Sequence, residues 1–168
     1  NKGQYEAIFY LDPIHGEGSH NPFCYLENQE DVANFARALH RLVVRSHNDA
    51  VNYEYWDNLE LQILTAYVKF IAYGYGFNPA ICEDAFYSKN FRGLKQLVLS
   101  GNMVHYVKQA KLALGEVPAC FRIFDEGYDC SGACIGLGEN VQAAITTISI
   151  KLGNFLTDKL LDMTDSCS

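Results

Sequence analysis

Apolar residues recur along most of this chain at intervals of three and four, the period of a helix with one buried face. Residues 1–26 read differently, as an extended lead punctuated by Pro13, Gly16, Gly18 and Pro22. A helix is predicted to begin near Asn28, with Asp31 three residues on as a capping-box-like partner. It places Val32, Phe35, Leu39, Leu42 and Val43 on one face. Arg37, Arg41 and Arg45 fall on the opposite side, one helical turn apart, as a solvated face.

A second helix is expected to start after Ser46–Asn48 and run to about Tyr73, where Gly74 and Gly76 end it. Val51, Tyr55, Leu59, Ile63, Tyr67, Phe70 and Ile71 trace its stripe. Pro79 opens a short turn carrying Cys82, and Ser88 is the expected cap of a helix with the stripe Phe91, Leu94, Leu97 and Val98. Gly101 interrupts it before Val104–Leu114. Residues 115–139 form a Gly- and Cys-rich connection with one turn after Pro118. A last helix spans about Asn140 to Met163, with Val141, Ile145, Ile148, Leu152, Phe155 and Leu160 facing inward. No run of five residues alternates cleanly, so no sheet is predicted. The expectation is an all-α fold, a compact bundle of about five helices cross-linked by disulfides.

A weak internal repeat runs through this pattern. Asn21-Pro22 precedes Cys24 and Asn78-Pro79 precedes Cys82; Asn34-Phe35 and Asn90-Phe91 then each lead into a Leu-rich stripe. Residues 1–168 nevertheless read as one helical domain, with this repeat as a trace of duplication.

Composition narrows the class. At 49% hydrophobic and 20% charged, the 168 residues carry ample material for a core, which excludes long disorder. No stretch approaches about 18 uncharged apolar residues, so no membrane insertion is expected. A net charge of -7, with no dense basic run, argues against a nucleic-acid partner.

Six cysteines, Cys24, Cys82, Cys120, Cys130, Cys134 and Cys167, are the signature of an oxidising compartment. Three disulfides and an extracellular, secreted protein are expected. The start at Asn1, without an initiator Met or an apolar leader, fits a processed or trimmed chain. Spacing does not choose the pairing. Cys130 and Cys134 could supply two zinc ligands, but no second pair closes a tetrahedron.

Motifs for catalysis are sparse. Neither Gly-x-Ser-x-Gly nor His-Glu-x-x-His occurs, and no carboxylate pair stands out. His15 and His20 share a Gly-rich segment with Asp12 and Glu17, which reads as a polar loop rather than a metal site. Gly132–Gly138 lacks a phosphate-binding Lys and reads as a tight turn. No metal, cofactor or catalytic residue is assigned. The unusual component is tyrosine, 11 residues beside 10 Phe and one Trp. Tyr53, Tyr55 and Trp56 cluster, as do Tyr73, Tyr75 and Phe77, and such rings suit bundle edges and binding surfaces alike.

The cysteine order differs from that of insect odorant-binding proteins, where the three-residue interval separates the second and third cysteines rather than the fourth and fifth. Secreted phospholipases A2 are excluded by the lack of adjacent cysteines. Cys24-Tyr25, Cys82 followed by Tyr87, Tyr128-Asp129-Cys130 and the two-fold repeat resemble the bicycle proteins, secreted salivary effectors of gall-forming aphids. That resemblance implies delivery into plant tissue and action by binding host molecules, without catalytic residues.

Two functions remain as expectations. One is a non-catalytic interaction protein that binds a host or partner macromolecule through Tyr53, Tyr55, Trp56 and the Arg37, Arg41 and Arg45 face. The other is a carrier of a small hydrophobic ligand in a bundle cavity.

Overall fold

A computed structural model describes residues 20–43, 53–73, 87–125 and 138–165. Among them the chain is helical, with no strand. In order come a first 3-10 turn (Pro22–Tyr25), α1 (Gln29–Val43), α2 (Tyr53–Ala72), α3 (Phe91–Ser100), α4 (Met103–Leu114), a second 3-10 turn (Ala119–Phe124), α5 (Glu139–Phe155) and α6 (Asp158–Met163). The expected turn at Pro79 and Cys82, His15 of the N-terminal lead, and residues 132–137 of the expected Gly-rich turn lie outside the described residues.

The start of α1 is the predicted cap. The Asp31 N–H donates to Asn28 Oδ1 at 2.9 Å, and Asp31 Oδ2 accepts from the Glu27 N–H at 2.9 Å. Its inner face is Val32, Phe35, Ala36, Leu39 and His40. One assignment moves: Leu42 is exposed, while His40 holds the buried position. His40 and Leu42 flank the buried stripe on opposite edges, about 160° apart around the helix, and it is the His40 edge that meets Glu60 of α2.

The cap of α3 also moves by two residues. Asn90, not Ser88, receives the Gly93 N–H at 2.9 Å, and the Ser88 hydroxyl donates to the same Asn90 Oδ1 at 2.8 Å. This tight entry leaves no room at Gly93, where a Cβ would stand 1.8 Å from the Ser88 carbonyl oxygen. The stripe Phe91, Leu94, Leu97 and Val98 is buried as predicted, and Gly101 ends the helix at φ +69°. Asn34 and Asn90, paired in the sequence repeat, play different local parts, since Asn34 lies inside α1.

The single long C-terminal helix is two. After Phe155 the chain turns, and Thr157 caps α6 by accepting the Leu160 N–H at 3.3 Å. The Leu156 carbonyl, which a continuous helix would use, instead accepts from Lys95 Nζ at 2.8 Å. Arg92 then fixes the chain end to α3 through Asp165, at 2.8 and 3.1 Å, and Asp162, at 2.9 Å.

The core is rich in aromatic side chains. Phe23, Phe35 and Phe91 join the first turn to α1 and α3, with ring centroids 5.0 to 5.9 Å apart. Phe70 stacks on Tyr106 at 5.6 Å and meets Phe121 edge-on at 6.2 Å, tying α2 to α4 and the second turn. Helix α2 is the axis: it packs on α1, α3, α5 and the second 3-10 turn. Its last ten residues, from Ile63, are buried nearly all round, the mark of a central helix.

Candidate functional site

The first half of α2 is polar, and its neighbours give it two working faces. One looks at α1. Asp57 and Glu60 stand three residues apart and so share a face, while His40 points across from α1. His40 Nε2 lies 3.2 Å from Glu60 Oε2. Glu60 is almost fully buried and His40 is 9% exposed. Asp57 Oδ1 is buried beside them, and one donor atom from each of the three residues lies within 4.8 Å of the others. No local motif marks this cluster in the sequence. The legible signals were a histidine on an apolar stripe and an Asp-x-x-Glu pair on the next helix; only the fold brings them together.

The other face opens on a groove of about 670 Å³ between α2, the second 3-10 turn and the start of α5. Leu59, Leu61, Ile123 and Val141 supply apolar lining, and Asn58, Gln62 and Arg122 supply polar ends. Those three polar side chains are exposed and make no hydrogen bond within the described residues. Asp125, also at the groove, is held by Lys111 at 3.2 Å, so the guanidinium of Arg122 is left available for a ligand.

The predicted surface residues divide between places. Tyr55 is 48% exposed and lies on the groove side of α2, one turn before Asn58 and Leu59. Its hydroxyl accepts from Asn140 Nδ2 at 3.0 Å, next to the groove residue Val141. Trp56, half-buried, meets the Tyr55 ring edge-on at 5.5 Å. Tyr53 opens α2, but its side chain lies outside the described residues. Arg37 and Arg41 are exposed on α1, as predicted, and line no part of the groove. Arg37 donates to Asn34 within its own helix. Arg45 lies outside the described residues.

Among the cysteines, Cys24 sits half-buried in the first 3-10 turn, and Cys82, Cys130, Cys134 and Cys167 lie outside the described residues. Cys120 departs from the expected set of three disulfides: its thiol is free. The second 3-10 turn commits Phe121 and Phe124 to the core, which leaves Cys120 half-buried on the groove wall. Burial acts on one tyrosine strongly, pushing the phenol of Tyr67 far above its ordinary range. Among the described residues no helix is long and apolar enough to cross a membrane.

Comparison with known proteins gave no matching family model, no matching curated protein and no matching solved structure.

Proposed function

We propose that this chain is a secreted, disulfide-stabilised and non-catalytic interaction protein that binds a partner protein in the groove beside Tyr55. The observation that carries the reading is the trio Asn58, Gln62 and Arg122 over an apolar floor. Side-chain amides both donate and accept, so Asn58 and Gln62 suit the backbone of an extended peptide segment. Arg122 suits one carboxylate on that segment. A single carboxylate fits better than an acidic run, because the whole chain already carries a net charge of -7. Tyr55 and Trp56 add flat, amphipathic contact area at the groove's end.

Buried rings packed on one another across the described core favour this reading over a hydrophobic-ligand carrier, which needs an enclosed apolar cavity. Disulfide stapling is supported by Cys24, which is disulfide-bonded. With the Cys120 thiol free, the other five cysteines allow at most two bridges. The salivary-effector resemblance agrees with a binding protein and makes a host protein the natural partner.

Selection of peptides from a displayed library, followed by titration of the best binder into isotopically labelled protein, tests the proposal. Shifts centred on Asn58, Gln62, Arg122 and Val141 are expected, with affinity falling at least about tenfold in Arg122→Ala. A library that yields no binder, or binders whose shifts avoid the groove, would overturn it.

A further inference from the structure

We infer that His40, Asp57 and Glu60 form a binding site for a divalent transition-metal ion of the zinc class, clamping α1 to α2 on the side away from the groove. The ligand chemistry is suitable. One imidazole and two carboxylates favour a first-row transition ion, whereas calcium and magnesium prefer all-oxygen shells. The placement is suitable too. Asp57 and Glu60 come from one face of α2, His40 comes from α1, and α2 packs more extensively on α1 than on any other described element.

Distances decide how much must move. Ligand atoms about 2.1 Å from zinc at tetrahedral angles stand roughly 3.4 Å apart. His40 Nε2 and Glu60 Oε2, at 3.2 Å, already have that spacing. The third donor is within 4.8 Å, so a side-chain rotation of Asp57 brings it in. A histidine–carboxylate hydrogen bond would account for His40 and Glu60 alone. A second carboxylate with an oxygen within 4.8 Å of that pair adds negative charge where water is scarce, an arrangement that favours a cation. A dication offsets both charges. On binding, His40 Nε2 and the two carboxylates meet the ion as unprotonated donors, any proton held between His40 and Glu60 is released to solvent, and a water completes the shell.

The experiment uses the full chain, stripped with chelator and left oxidised. Zinc is added, excess ion is removed by gel filtration, and bound metal is counted by mass spectrometry. One zinc per chain is expected, with Tm rising by roughly 5–10 °C when free zinc is a hundredfold above Kd. His40→Gln and Glu60→Gln should each weaken zinc by more than the roughly 10–100-fold that loss of an outer-shell group costs. Asp57→Asn, at a half-buried position, tests the same site with the fold intact. Cobalt substitution gives an independent readout. Visible bands of nitrogen and oxygen ligation, without a thiolate charge-transfer band, support the site, whereas a thiolate band places the ion on cysteine and overturns it. No retained metal, or metal retained by the Asp57→Asn and Glu60→Gln double variant, overturns it as well.

Discussion

The two halves of α2 have the same helical backbone and opposite surroundings. From Ile63 to Ala72 the helix is walled in by apolar side chains, among them the fully buried Ile63, Leu64, Val68, Phe70 and Ile71. From Glu54 to Gln62 it is mostly polar, and what is buried there is a glutamate. The first arrangement gains free energy from removing apolar surface from water, which depends on area and packing but little on direction. The second gains it from directed contacts, which are costly when one partner is missing. Stability should therefore concentrate in the C-terminal half, and selective recognition in the N-terminal half.

The strongest way to break this comparison is Phe70→Ala. Phe70 touches Tyr87, Tyr106 and Phe121, so truncation opens a cavity where four segments meet. A loss of about 4 kcal/mol is expected by denaturant unfolding. A loss below about 1 kcal/mol would mean that the buried half is not the anchor.

The next test is the pair at the helix's other end. His40→Leu leaves Glu60 buried without its imidazole, for a loss of about 3 kcal/mol in metal-free protein. His40→Leu combined with Glu60→Met should recover most of that loss, because an apolar pair of similar volume needs no directed contact. A double-variant loss equal to the sum of those of His40→Leu and Glu60→Met alone would show that the two residues do not act on each other.

These two ends were unequally legible in the sequence. The stripe of α3 could be read outright, because Phe91, Leu94, Leu97 and Val98 repeat at a helical interval with a glycine stop behind them. Leu42 was expected inside and is exposed, because the period puts Leu42 and His40 on opposite edges of the stripe and only packing on α2 decides which edge is covered. The break between α5 and α6 was hidden for a different reason. The apolar spacing runs on from Leu152 to Leu160, but Lys95, 61 residues away, takes the Leu156 carbonyl. The cluster of His40, Asp57 and Glu60 and the groove are likewise long-range products, and local periodicity carries no record of which helices become neighbours.

A smaller effect separates the halves by pH. Burial raises the Tyr67 phenol, so above the ordinary tyrosine value of about 10 the unfolded chain releases a proton that the folded chain keeps. Below that pH this group leaves stability unchanged; as pH rises past it, stability falls. Tyr67→Phe should accordingly lose less Tm between pH 9 and about pH 11 than the parent chain, measured by thermal melts. An identical decline in both would show that Tyr67 is reached by water.

The smallest effect is expected at the groove. Tyr55→Phe removes only the acceptor of the Asn140 amide, on a side chain that is already 48% exposed. Both partners can bond to water instead, so the cost should stay within about 0.5 kcal/mol, or roughly 1–2 °C in Tm. Asn58→Ala and Gln62→Ala, whose amides hold nothing within the described residues, should cost no more. If peptide affinity falls in these variants while Tm stays level, the exposed face of α2 serves a partner rather than the fold. If Tm falls by as much as in Phe70→Ala, the division of α2 into an anchoring half and a recognising half fails, and the groove residues belong to the core's own support.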